Sequence, residues 1–189
     1  MQVVTLEKFG EDRFLSELDH LKNEKFPGDA RNSDWFDRIP EIYKTRFKEW
    51  FFLIDDNNLA AFATIQEFYP NCFRLLTRTY YLPSYRRRHL AYEHNQKTPA
   101  MHLLDAQLEY TKEYSTLFIS MQDITRRRSL KKVMNKIGAD WNMHPDMVQT
   151  CKEVKDINCW QNIIYKGDTP NLPSITIEEW KTLKEQSNV

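Results

Sequence analysis

Three consecutive arginines, Arg86, Arg87 and Arg88, fall where the stretch "LTRTYYLPSYRRRHLAYEHNQKTPAMHLLDAQLEY" passes from a strand-like run through Pro83 toward an amphipathic helix. Guanidinium forks bind phosphate oxygens in a bidentate way, and the first amides of a helix favour an anion. The competing reading is a solvated turn. A second triplet, Arg126, Arg127 and Arg128, leads a helical pattern that also carries Lys131, Lys132 and Lys136. If the triplets converge they suit a nucleotide-like cofactor or a nucleic-acid backbone; otherwise they form a wet face. His89, His94 and His102, with Glu93 and Asp105, match no standard ligand spacing, so no metal site is expected. There is no Gly-x-Ser-x-Gly elbow and no cysteine next to a histidine, which leaves a serine or cysteine nucleophile unsupported.

Composition narrows the classes further. The 189 residues hold 27 basic and 27 acidic side chains, so no global field draws the chain to nucleic acid or to an anionic membrane. Nucleic acid is therefore an unfavoured partner. Cys72, Cys151 and Cys159 are odd in number and fit free thiols in a reducing compartment, with cytoplasm the expected location. The opening "MQVVTLEKFGEDRF" becomes charged too early for a signal peptide, and no apolar run approaches the roughly 20 residues of a membrane helix. Eleven Phe, nine Tyr and five Trp against four Gly indicate an aromatic-packed globule. One domain over residues 1–189 is expected, with 168–189 as an extension carrying a short helix. A homodimer is compatible with this composition.

The elements that must position the arginines follow from periodicity. A short apolar opening at Val3–Leu6 reads as a strand. Phe14, Leu15, Leu18 and Leu21 mark a helix over Glu11–Glu24, and Trp35, Ile39, Ile42, Tyr43 and Phe47 mark a kinked second helix over Asp34–Trp50. Turn chemistry at Asp55–Asn58 and Tyr69–Asn71 divides the next stretch into a three-strand meander. Thr98 and Pro99 open a helix to Tyr114 with Met101, Leu104 and Leu108 as its apolar face. "STLFISM" reads as a buried strand, and Thr125–Ile137 as a helix stopped by Gly138. "HPDMVQTCKEV" and "CWQNIIYKG" read as a final strand pair, and Thr176–Glu179 as the capping box of a tail helix.

This order, β α α β β β α β α β β, resembles that of the GNAT family of N-acetyltransferases over roughly Val3–Gly167. The local support is "YYLPSYRRRHLA", similar to that family's fourth strand, Pro-x-Tyr-Arg turn and pyrophosphate loop, together with "KKVMNKIG". The resemblance implies an α/β fold with a mixed, largely antiparallel sheet flanked by helices on both faces. It also implies acetyl-CoA as acyl-donor co-substrate, with Leu82, Arg86, Arg87, Arg88, His89 and Ala91 at the cofactor. Arg86 and Ala91 match the ends of the family loop, while His89 replaces its central glycine, so charge would stand in for close backbone approach. The insertion "YEHNQKT" also departs from the pattern.

In that family an amine attacks the thioester directly, and a backbone amide beside a splay in the fourth strand stabilises the oxyanion. The fourth and fifth strands are thus expected to part near Leu82 and Met121. The family's tyrosine acid falls on Met134, and a thioether cannot donate a proton. Tyr80 and Asp123 are the candidate acid and base, each also explicable as a packing ring and a helix cap. Three readings follow: an N-acyltransferase, by resemblance an N-acetyltransferase, acting on a small-molecule or peptide amine; a catalytically degenerate module binding CoA, a nucleotide or a protein; and a nucleic-acid-associated protein using the basic helix.

Overall fold

Turn residues and apolar runs fold the first half as their chemistry requires. The computed structural model describes residues 1–23, 47–86, 97–122, 140–143, 147–149, 161–170 and 174–176. It begins with β1 (Gln2–Thr5), α1 (Leu6–Phe9) and α2 (Glu11–Asn23), followed by the meander β2 (Glu49–Asp55), β3 (Asn58–Tyr69) and β4 (Cys72–Tyr81). A turn of helix, α3 (Pro83–Arg86), follows β4. Asp56 and Asn57 close the β2–β3 hairpin with φ of 46° and 66°. Such a two-residue turn needs positive φ, which Asp and Asn tolerate. The next reversal uses Pro70 and left-handed Asn71, φ 62°.

Two compact units make up the structure: Met1–Glu67 with Leu75–Lys112, and Phe68–Arg74 with Glu113–Val189. In the first, β1 and β3 flank β2 in antiparallel pairing, and β4 neighbours β3. Phe14, Leu18 and Leu21 of α2 pack with Trp50, Phe52, Phe62 and Tyr80 on one face. Phe9 stacks on Phe52 with centroids 4.1 Å apart, and Phe14 meets Phe52 edge-on at 5.1 Å. Burying each such side chain contributes about 1.5–3 kcal/mol. On the opposite face, Phe51 meets Tyr110 edge-on at 5.6 Å. Tyr110 ends α4 (Pro99–Tyr110), so helices cover both faces of this sheet.

Several expectations shift. Trp50, read as the end of the second helix, lies in β2. The run Trp50-Phe51-Phe52-Leu53 is apolar on both faces, as a strand covered on both sides must be. The rest of that helix, residues 24–46, lies outside the described residues. Thr98 caps α4 as expected, its Oγ1 accepting the Met101 N–H at 3.4 Å with Pro99 in the first turn. The buried side of α4 is Leu103, Leu104 and Gln107, however, while Met101 and Leu108 are half-buried.

In the second unit, β4 and β5 (Thr116–Gln122) run parallel through three pairs, Cys72–Thr116, Phe73–Leu117 and Arg74–Phe118. β8 (Gln161–Gly167) pairs antiparallel with the whole of β5 and also with β6 (Asn142–Met143). Among the described residues, the two segments expected to form a final pair bond to other strands. β7 (Met147–Gln149) joins β9 (Ser174–Thr176), while β8, with adjacent Ile163 and Ile164 both buried, takes an interior place with a strand on either side. One parallel register among antiparallel ones makes the pairing mixed and largely antiparallel. Gly167 closes β8 at φ 84°, where an added Cβ would lie 1.8 Å from the Ser115 carbonyl oxygen. The helix expected over Thr125–Ile137 and the tail helix after Thr176 fall outside the described residues.

Candidate functional site

β4 is a strand that bends where nothing in its sequence looks like a turn. Leu76 and Arg78 both take left-handed backbone, with φ of 52° and 48°. For a non-glycine residue this costs on the order of 1–2 kcal/mol each, because Cβ crowds the carbonyl oxygen. Left-handed residues within a strand mark bulges, which re-aim the chain.

Side chains hold the irregularity. The Leu76 N–H donates to Oε1 of Gln107 at 2.8 Å, and the Leu76 carbonyl accepts from Thr79 Oγ1 at 2.6 Å. The Gln107 Nε2 in turn donates to the Thr64 carbonyl at 3.3 Å. Thr64 and Thr77 face each other across β3 and β4 with hydroxyl oxygens 2.6 Å apart, and each hydroxyl reaches the other residue's carbonyl at 2.8–2.9 Å. Thr64 and Gln107 are fully buried and Thr77 is 5 % exposed, so these bonds satisfy polar groups that water does not reach.

Just past the end of β4 the chain is bonded to β3. The Leu82 N–H donates to the Ala60 carbonyl at 3.0 Å, and the Leu82 carbonyl accepts from the Tyr85 N–H at 2.8 Å. Both backbone groups of Leu82 are thus engaged within the chain, and its side chain packs against the aromatic cluster. In α3 the Tyr85 hydroxyl donates to Asp55 Oδ2 at 2.9 Å, which fastens the Pro83–Arg86 turn to the end of β2.

Among the residues singled out in the sequence, Tyr80 sits in the aromatic core, stacked on Phe62 at 5.4 Å. Its neighbour Tyr81 is half-buried, and desolvation pushes its phenol far above the ordinary value, so it stays protonated. Arg86 is the last residue of α3. Arg87, Arg88, His89, Ala91 and Asp123 lie outside the described residues, as do the second arginine triplet and Met134. The structure brings Tyr80, Leu82 and Arg86 onto one continuous strand and turn. Sequence reading missed Leu76, whose strain has no residue-type signal, and Gln107. The latter had a faint one: it lies four residues after Leu103 and three after Leu104, on their side of the helix.

A cavity of about 470 Å³ opens elsewhere in the first unit, lined by Glu7, Glu11, Phe47, Lys48, Glu49 and Trp50 among others. Glu49 Oε1 already accepts the amides of Leu6 and Trp50.

No protein-family model and no curated protein matches the sequence. Solved structures do match in fold. The ribosomal-protein-S18-alanine N-acetyltransferase of Escherichia coli is 16 % identical, with 90 % of this chain and 97 % of that one covered at a TM-score of 0.52. A spermidine N-acetyltransferase from Vibrio cholerae is 11 % identical, covering 88 % and 95 % at 0.53. An acetyltransferase from Streptococcus agalactiae is 13 % identical, covering 89 % and 99 % at 0.53. The fold is therefore that of the acetyltransferases. More narrowly, it is the GNAT fold in a divergent form, with the mixed sheet and flanking helices that the element order implied.

Proposed function

We propose that the protein is an acyl-CoA-dependent N-acyltransferase whose donor site is built on the bent part of β4 and the turn that follows it. The observation that carries this reading is the pair of left-handed residues, Leu76 and Arg78, in the fourth strand of a GNAT fold. A bend of this kind re-aims the residues that follow it, and with the backbone groups of Leu76 already held by Gln107 and Thr79, any group offered to a ligand belongs to other residues of β4.

Acetyl-CoA is the proposed donor. The acyl-pantetheine arm would lie along β4, and the pyrophosphate would meet Arg86, Arg87, Arg88, His89 and Ala91 after the Pro83 turn. The acceptor amine attacks the thioester carbonyl, a C–N bond forms and the C–S bond breaks. A β4 amide carries the oxyanion, and the amine's proton leaves through Asp123 or water. The departing thiolate needs a proton, for which Tyr80 is the proposed source. A primary amine on a small molecule or peptide is the proposed acceptor, and cytoplasm the proposed location.

A second reading, a non-catalytic CoA-binding module, is favoured by two particulars: Met134 at the family's tyrosine position, and Tyr80 packed on Phe62. Calorimetric titration with acetyl-CoA and turnover against an amine panel separate the readings. Binding with slow turnover, lowered further by Tyr80→Phe at unchanged CoA affinity, is expected. Binding with no turnover on any amine selects the second reading, and no binding removes both.

A further inference from the structure

Gln107 does work in β4 that packing alone does not require. Its neighbours on the buried side of α4, Leu103 and Leu104, are apolar, and a leucine or methionine at 107 would continue that face. A glutamine there loses its hydration and its rotamer freedom, and it is kept fully buried. Its carboxamide lies between two strands: Oε1 accepts from Leu76 of β4 and Nε2 donates to the carbonyl of Thr64 in β3. In a regular antiparallel ladder such strands exchange N–H···O=C bonds directly. Here the side-chain amide, with an acceptor and a donor like a peptide group, bonds both strands at once. The helix backbone at the same residue is tied down as well, since the Gln107 carbonyl accepts both the N–H and the hydroxyl of Thr111, at 3.0 Å and 2.6 Å.

We propose that Gln107 is a positioning residue for the acyl-donor strand: its carboxamide, bridging the Leu76 amide and the Thr64 carbonyl, holds the left-handed bend from which β4 meets the acyl thioester. This rests on the donor-site reading above and specifies which side chain sets its geometry. Gln107 acts through β4 and does not touch the acyl group. Left-handed leucine is unfavourable by itself, so a specific partner for its N–H is what selects that conformer. Thr79, holding the Leu76 carbonyl, is the second fixing point, and the Thr64–Thr77 pair keeps the facing strand at hand.

The test compares the parent chain with Gln107→Met, which keeps length and apolar contact, and Gln107→Glu, which keeps an acceptor for Leu76 but, when ionised, has no donor for Thr64. Amide hydrogen exchange and the affinities for acetyl-CoA and for free CoA are measured on each. In Gln107→Met the Leu76 amide should exchange at least about tenfold faster. Leu103 and Leu104 should stay within about twofold. Acetyl-CoA affinity should fall about tenfold while free CoA stays within about twofold, because the lost element addresses the acyl group alone. Gln107→Glu should lie between parent and methionine variant, and it carries the same comparison should the methionine variant not fold. An unchanged preference for acetyl-CoA over CoA in a folded variant overturns the proposal and leaves the donor-site reading standing. Equal weakening of both ligands, or faster exchange spread evenly over β3, β4 and α4, also overturns it, since that marks a merely structural glutamine. Failure of the parent chain to bind either ligand removes the donor-site reading, and the proposal with it.

Discussion

The protein uses left-handed backbone in two kinds of place. At Asp56, Asn57 and Asn71 it reverses the chain, and the residues are those whose short polar side chains tolerate positive φ. At Leu76 and Arg78 the same conformation occurs inside a strand, on residues that resist it. At the turns the residue type alone suits the conformation. The bend in β4 is held by Gln107 of α4 and by Thr79 of its own strand, with Thr64 and Thr77 beside them. Strain that a chain reversal does not call for, held by side chains around it, is consistent with the donor site proposed on β4. The contrast separates positions where conformation dictates residue type from positions where neighbours impose conformation on the residue.

The comparison breaks most visibly at Gly167, a left-handed site of the first kind with no room to adapt. Gly167→Ala drives Cβ toward the Ser115 carbonyl, so a loss of about 3 kcal/mol or more is expected, seen as a melting temperature lower by about 6 °C or more. Next come the threonines: Thr64→Val and Thr77→Val should each cost about 1–3 kcal/mol by leaving a buried partner unsatisfied. The double variant should cost less than the sum, because both remove the same contact. Denaturant unfolding of the four proteins gives the coupling directly.

A subtler contrast uses glycine. Arg78→Gly and Arg78→Ala remove the same side-chain contacts, so glycine at this left-handed position should be the more stable of the two by about 1 kcal/mol, whereas Asn57→Gly should stay within about 0.5 kcal/mol of the parent. Equal stability of Arg78→Gly and Arg78→Ala would show that the backbone there is not strained. Smallest near neutrality is the effect of Tyr81. Its folded pKa is raised by burial, so its protonated form adds no pH dependence below the unfolded value of about 10. Above that the unfolded chain ionises first and stability falls with pH. Tyr81→Phe should flatten the alkaline limb of a stability curve by up to one proton.

Much of the fold was legible because local chemistry and tertiary structure agree. The hairpin residues at Asp56–Asn57 and Pro70–Asn71 and the Thr98–Pro99 cap have direct physical meaning. Trp50 was misassigned because helical and strand periods overlap in a run that is apolar throughout. The partner of β8 was misread because pairing is set by which strand must be covered on both edges, and single-strand patterns do not encode that. The site was legible as a turn and a charge cluster, Pro83 to Arg88, and illegible as geometry. Leu76 looks like any strand leucine, and Gln107 looks like a surface residue until both ends of its amide are seen to be occupied.

The central claim, that the bent part of β4 receives the acyl donor, is tested most directly by following backbone amide resonances while acetyl-CoA is added to the intact chain. The expected result is saturable shifts concentrated in residues 75–82 and in the turn after Pro83, with smaller shifts in 75–82 when free CoA replaces acetyl-CoA. Saturable shifts that spare 75–82, or none at millimolar acetyl-CoA, would contradict it.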